Sequence, residues 1–116
     1  MAHYEDLTID QGTDVAIDIY LVNKNGTAKD LTGYTAAAKM ATSHDATDSD
    51  KVSFTAAIAS PASDGILNLS LTNSQTDALN PKKRYVYDVE ISLDSGGSTT
   101  IERVLQGLIT VTPSVT

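Results

Sequence analysis

The chain has 116 residues, of which 15 are acidic and 8 basic, so its net charge is −7, and it has no cysteine. This length fits one domain, over residues 1–116, and the lack of cysteine excludes disulfides, thiol nucleophiles and cysteine-based zinc sites. The only cluster of basic residues is Lys82 to Arg84, so we expect no nucleic-acid binding. No apolar run approaches 18 residues, which predicts no contact with a membrane through a spanning helix. The first ten residues lack the parts of a secretion signal.

Alternation of apolar and polar residues begins near the N terminus and predicts strands rather than helices. "DLTID" is a short candidate strand, and "TDVAIDIYLV" is a longer one. The second segment has four apolar residues on one face: Val15, Ile17, Ile19 and Leu21. We expect a tight turn at Asn25 and Gly26, because both residues tolerate positive φ.

Three more alternating segments follow, and then the pattern breaks. "GYTAAAKM", "KVSFTAAI" and "GILNLSL" each place apolar residues at every second position. "TNSQTDAL" does not alternate. Thr72 or Asn73 can cap a helix there, and the helix must end before Pro81, so we predict one or two helical turns.

The last two alternating segments, "RYVYDVEISL" and "TTIERVLQGLITVT", are joined by the turn sequence "DSGGST". In the first of them we expect Tyr87, Val89 and Ile91 to be buried on the inner face of a central strand. In the second we expect a kink or bulge near Gly107. Seven strands with one short helical turn predict an all-β, immunoglobulin-like antiparallel β-sandwich.

Asp88 and Glu90 are the strongest candidates for a catalytic pair. They share the polar face of their strand, about 6–7 Å apart at the usual rise per residue, a separation that two glycosidase carboxylates can have. Catalysis would also need a cleft and an unusual environment for one of them, which the middle of a strand does not supply. Lys39 and Arg103 can provide cross-strand counter-charges. We therefore interpret the pair as a salt-bridged or solvated face.

Two further groups of side chains are candidate sites. Asp45, Asp48 and Asp50 lie in one loop and could bind a hard cation through oxygen ligands, but the loop lacks the glycine and terminal glutamate of an EF-hand. His3 and His44 are the only imidazoles, and no nucleophile-elbow motif accompanies them. We predict that the chain has no catalytic, metal-binding or cofactor-binding residues and is not an enzyme.

The order of segments resembles a known group of proteins. The stretch before the penultimate strand resembles the corner of an immunoglobulin-like sandwich, with Tyr85 in the place of the corner tyrosine. The motifs "QGT" at Gln11, "NG" at Asn25 and "DLTGY" from Asp30 to Tyr34 are similar to those of small tailed-bacteriophage virion proteins, in particular modules of the upper-baseplate N-terminal type. The second half of the chain is similar to the same group.

This resemblance implies a non-enzymatic virion component of the tail, baseplate or neck. It would be present in several copies in a symmetric assembly, would contact other virion proteins, and would be assembled in the host cytoplasm. A head decoration protein and a free module that binds carbohydrate or a cell surface are the alternatives. Because strand edges can pair with other chains, we expect the two termini to make the subunit contacts. The residues concerned are Tyr4, Leu7, Thr110, Val111, Thr112, Pro113 and Val115.

Overall fold

The computed structural model describes residues 3–47 and 50–115, which form nine strands, one short α-helix and one 3₁₀ turn. The strands are β1 (His3–Tyr4), β2 (Leu7–Asp10), β3 (Val15–Tyr20), β4 (Tyr34–Ala41), β5 (Val52–Ser53), β6 (Thr55–Ile58), β7 (Ile66–Leu71), β8 (Arg84–Ser95) and β9 (Ser98–Thr112). Helix α1 (Asn73–Asp77) lies between β7 and β8, and the 3₁₀ turn is Ala62–Asp64. Within these residues no helix is long and apolar enough to cross a membrane.

The strands form two sheets. The larger sheet has the order β1-β9-β8-β4-β5, with β2 also paired to β9, and the smaller sheet has the order β3-β7-β6. Five of the seven strand pairings are antiparallel, whereas β1 and β2 run parallel to β9. The sheet orders β9-β8-β4 and β3-β7-β6 correspond to the orders G-F-C and B-E-D of the immunoglobulin fold. The predicted sandwich is confirmed, with two short strands more than expected.

The core lies between the sheets and is built from the alternating residues of their inner faces. Tyr87, Val89 and Ile91 on β8 are all buried, as predicted. They face the apolar residues of the smaller sheet, of which Leu67, Leu69 and Leu71 on β7 are the most deeply buried. The period of two along each strand therefore sets which residues form the core.

The corner before β8 also has the predicted form. The hydroxyl of Tyr85 accepts a hydrogen bond from the backbone N–H of Asn80 at 2.9 Å, which is the contact that defines a tyrosine corner. Helix α1 begins with a capping box: the Thr72 hydroxyl accepts from the Gln75 N–H, and the Gln75 side chain accepts from the Thr72 N–H. These bonds satisfy donors that a helix start leaves unpaired. They fix the link between the two sheets.

Two details of the strand prediction were wrong. "KVSFTAAI" is not one strand: β5 pairs with β4 in the larger sheet, β6 pairs with β7 in the smaller one, and the buried Phe54 lies at the crossing. The bulge of β9 was predicted at the wrong residue, near Gly107. It lies at Val104, because Val89 of β8 is paired with Leu105 and Glu90 with Arg103. The extra residue makes a bulge, so that the adjacent Val104 and Leu105 are both buried.

Gly107 does not mark the bulge; it allows a close approach of two backbone segments. A Cβ atom built on Gly107 would overlap the Glu5 carbonyl oxygen, because the two atoms would be much closer than the sum of their van der Waals radii. The absence of a side chain therefore lets the segment between β1 and β2 approach the backbone of β9 closely. In this position the Glu5 carbonyl accepts a hydrogen bond of 2.6 Å from the Tyr87 hydroxyl, and the Glu5 N–H donates to the Gln106 carbonyl.

Candidate functional site

The outer face of β8 carries the two carboxylates that were weighed as a catalytic pair. The guanidinium of Arg103, on the neighbouring strand β9, lies 3.6 Å from the Asp88 carboxylate and 3.9 Å from the Glu90 carboxylate. Lys39 on β4 is the register partner of Asp88 on the other side. This is the cross-strand charge pairing expected from the sequence. All three side chains of the ion pairs are more than a third exposed, so the pairs contribute little to stability.

A shallow depression of about 460 Å³ covers this face. Besides Asp88, Glu90 and Arg103, its lining includes the side chains of His44 and Lys51. Charges of both signs therefore alternate over an open, solvated surface. Such a surface has the character of a polar contact area rather than of a cleft that shields a reaction from water.

The acidic loop is only partly described. Asp48 lies outside the described residues, so the prediction that the three carboxylates form a solvated loop and not a cation site stays untested. The Asp50 carboxylate accepts a hydrogen bond from the Thr47 hydroxyl at 3.1 Å. His3 lies in β1, and His44 lines the depression described above. Among the described residues, no three His, Asp or Glu side chains are grouped as metal ligands.

The predicted subunit contacts at the end of β9 are paired with β2 on one side. Strand β9 pairs with β2 along Thr110, Val111 and Thr112, whereas its pairing with β8 ends at Thr110. Val111 is buried, and the Thr112 hydroxyl donates to the Asp10 carboxylate. Leu7 is half-buried and is paired with Ile109. The open-edge argument therefore fails on the β2 side of β9, and the subunit contacts themselves stay a prediction.

The exposed members of the predicted set are Tyr4, Thr110, Pro113 and Val115. They are available to a neighbouring molecule, and their contact with other subunits stays a prediction. In the N-terminal part of the chain, residues 3–4 and 7–10 pair along β9. The pKa of Tyr87 reflects the close packing of the segment that contains Glu5 and Asp6. Burial, followed by the negative charges of Glu5 and Asp6, raises the pKa of the Tyr87 hydroxyl to about 12.

The motifs that carry the resemblance hold the fold together locally. The side-chain amide of Gln11 donates to the carbonyls of Asp77 and Leu79, each at 3.1 Å, where α1 ends. The Gly12 N–H donates to the hydroxyl of Thr76, and that hydroxyl donates to the Thr13 carbonyl at 2.8 Å. Thr76 is fully buried, and no feature of the sequence pattern had singled it out. The "QGT" turn is therefore the anchor of α1.

The "DLTGY" motif makes the bend before β4. The Asp30 carboxylate accepts hydrogen bonds from the hydroxyl of Thr32 at 2.6 Å and from its N–H at 3.0 Å. These two bonds, the side-chain one first, lower the pKa of Asp30. Gly33 has φ of +83°, which a glycine adopts without strain. The motif thus sets a turn and does not form a binding site by itself.

A surface that the sequence did not indicate lies along the β3 edge of the sandwich, where the core between the two sheets is not fully covered. Strand β3 is an edge of the smaller sheet and pairs only with β7. Ile17 and Leu69 face each other across this pairing, and the Leu21 N–H donates to the Gly65 carbonyl on the same side. In a strand, the N–H and C=O of one residue point to one side and those of the next residue point to the other side. The backbone groups of Ala16, Asp18 and Tyr20 therefore point away from β7. No strand among the described residues pairs with them.

An apolar groove runs beside this edge, between β3 and the strands β1, β2 and β9, and we call it the β3 groove. Its volume is about 360 Å³, and its apolar lining includes Leu7, Ile17, Ile19, Leu69, Val104 and Leu105. Ile17 and Ile19 are only half-buried although they face the core. Glu5, Asp18 and His3 also line the groove.

At the end of the groove the exposed apolar surface continues. Tyr20 and Val22 are 68% and 57% exposed, and both line a smaller depression that shares His3 and Val104 with the groove. Large apolar side chains that remain in water beside an unpaired strand mark a surface that another molecule can cover. This is the candidate functional site of the molecule.

The comparisons with known proteins give the fold and nothing finer. No protein-family model matches the chain, and no curated protein matches it. Among solved structures, it is similar to a DUF4785 family protein from Legionella pneumophila, with a TM-score of 0.57 and 13% sequence identity. The match covers 92% of this chain but 26% of that one, so the chain corresponds to about a quarter of the larger protein. At this identity the likeness concerns the arrangement of the strands.

Proposed function

We propose that the chain is a non-enzymatic structural module of a tailed-phage virion, located in the tail, baseplate or neck, that acts through contacts with other virion proteins. The observation that carries the proposal is the β3 groove: an unpaired six-residue strand edge next to apolar side chains that the domain leaves half-covered. A module whose task is to join other proteins needs such a surface and needs no reaction chemistry.

The resemblance of the "QGT", "NG" and "DLTGY" motifs to phage virion modules supports the same proposal. In this domain those motifs fix turns and the position of α1, so their role is to preserve the scaffold. The paired charges of Asp88, Glu90 and Arg103 are then a polar part of the surface. A head decoration protein would use the same fold and the same kind of contact, and the experiment below distinguishes the two.

The test is the location of the chain in purified particles. Phage particles from cells that carry the gene are separated into tails and heads, and peptides of the chain are quantified in each fraction by mass spectrometry. We expect the chain in the tail fraction at a fixed ratio to other tail proteins. Recovery with heads alone would favour decoration of the capsid, and absence from both fractions would refute a role in the virion.

A further inference from the structure

We infer that the open edge of β3 takes up an extended segment of another protein, in which apolar residues alternate with Lys or Arg. The segment would add a fourth strand to the smaller sheet and would cover the β3 groove. The inference deepens the proposed function and rests on it in one respect, namely that the owner of the segment is another virion protein.

The first argument is the direction of the backbone groups. Ala16, Asp18 and Tyr20 present three N–H and three C=O groups at the edge, a complete hydrogen-bonding pattern for one added antiparallel strand. Their side chains are exposed on the outer face of the sheet. Nothing in the described part of the chain covers or bends this edge. Addition of a strand at such an edge is a recurring way in which folded domains bind peptides.

The second argument is the groove beneath the edge. An added strand would direct every second side chain inwards, next to Ile17 and Ile19, where the groove is apolar. Those inward positions therefore favour Val, Ile or Leu in the partner. The opposite side of the sandwich needs no such cover, because the chain itself crosses between the sheets there and buries Phe54.

The third argument is charge. Asp18 lies near the centre of β3 on its outer face, and its carboxylate accepts a hydrogen bond from Asn68 of β7. Glu5 lines the groove, and the whole chain carries a net charge of −7. A residue of the added strand that stands opposite Asp18 is on the same face, at cross-strand pairing distance. Lys or Arg is favoured at that position and an acidic residue is disfavoured.

A second copy of this chain is the weaker occupant. If two β3 strands paired about Asp18, the two carboxylates would stand directly opposite each other. If they paired about Ile17, Asp18 would face Ala16 and Tyr20 would face Asp14, so that no cation would be gained. Two domains that each carry −7 also repel each other before contact.

The experiment uses two blocked nine-residue synthetic peptides, one alternating Val with Lys and one alternating Val with Glu, and the full chain. Fluorescence anisotropy gives the affinity of each peptide, and amide NMR shifts locate the contact. We expect the Val–Lys peptide to bind about tenfold more tightly than the Val–Glu peptide at low salt, with a smaller ratio at high salt. The largest shifts should fall on Ala16, Asp18 and Tyr20.

Three variants test the contact. Ala16→Pro removes an N–H that points away from β7, so the domain should fold while peptide binding falls at least about tenfold, as for proline at a strand edge. Ala16→Ser keeps the N–H and should bind like the unchanged protein. Asp18→Lys should reverse the preference, so that the Val–Glu peptide binds more tightly. Thermal melting of each variant confirms that it is folded.

Each outcome decides between the two proposals. Equal affinity for both peptides, binding that persists in Ala16→Pro, or shifts that fall on the face of Asp88 would overturn the inference. Self-association of the chain that Ala16→Pro abolishes would make a second copy the occupant and overturn it as well. If the Val–Lys peptide binds at β3 but the chain is absent from virions, the proposed function fails and the binding chemistry stands. If the chain is in tails but neither peptide binds, only the inference fails.

Discussion

Replacement of Gly107 by alanine should disrupt the close contact between β9 and the segment that contains Glu5. The added Cβ would overlap the Glu5 carbonyl, so either β9 or the segment that contains Glu5 must move. Overpacking of this kind costs about 1–3 kcal/mol. The hydrogen bond from Tyr87 to Glu5 would be lost with it, at about 1 kcal/mol. We therefore expect Gly107→Ala to lower the free energy of unfolding by about 2–4 kcal/mol.

The assay is denaturant unfolding followed by circular dichroism, with thermal melting as a second measurement. For a domain of this size, 1 kcal/mol corresponds to about 4 °C, so the melting temperature should fall by about 8–16 °C. The decisive control is the same substitution in a chain that lacks Met1 to Asp6. There the carbonyl of Glu5 is gone, and alanine should be neutral or stabilising by about 0.5–1 kcal/mol, because glycine weakens a strand.

The two backgrounds form a double-mutant cycle, and the coupling between Gly107 and the N-terminal segment is the quantity of interest. Equal destabilisation in both backgrounds would show that the glycine is required for some other reason, such as the bulge at Val104. The truncated chain also tests whether β1 contributes to stability. The full-length protein should be more stable than the truncated one, because Glu5 takes part in two hydrogen bonds to the rest of the domain.

The remaining predictions concern β8. Val89→Asp would bury a charge at a position that is 0% exposed, which should cost several kcal/mol and leave no cooperative melting transition near that of the unchanged protein. One tyrosine should titrate near pH 12 in the folded protein, when followed by ultraviolet absorbance, and Tyr87→Phe should abolish that step. Since the folded pKa lies above the unfolded value near 10, this hydroxyl stabilises the fold below pH 10, and the stabilisation is lost as the pH rises towards 12. Asp88→Asn combined with Glu90→Gln should change the stability by less than about 1 kcal/mol and leave incorporation into particles unchanged; loss of infectivity with normal assembly would revive the catalytic hypothesis.

The sequence predicts the strands and the inner faces well because alternation is a local property. In β8 the residues Tyr87, Val89 and Ile91 stand at every second position, and a shift of one residue would expose all of them. The corner at Tyr85 is likewise readable, since the tyrosine, the short helix and the following strand are adjacent in the chain. The same holds for the turn at Asn25 and Gly26, where Gly26 has φ of +88°.

What the sequence could not predict depends on partners far away in the chain. "KVSFTAAI" alternates throughout, and the pattern cannot reveal that the segment changes sheets at Phe54. The parallel pairing of β1 and β2 with β9 joins residues about a hundred positions apart, so the pattern could not reveal that β2 covers one side of Thr110 to Thr112. One signal was present: the adjacent apolar residues Val104 and Leu105 break the alternation, and a bulge is the way for both to face the core.

The two sides of the sandwich differ in what covers the core, and this difference links stability to assembly. At the β5–β6 side the chain passes from one sheet to the other and seals the core at Phe54. At the β3 side the N-terminal residues follow β9, and Ile17 and Ile19 remain half-buried. A strand that binds there contacts the folded state only, so it stabilises the domain in proportion to the logarithm of its concentration relative to its dissociation constant. A strand bound as proposed would therefore supply the burial that this side of the domain lacks, and the domain should be more resistant to heat with the strand bound than alone.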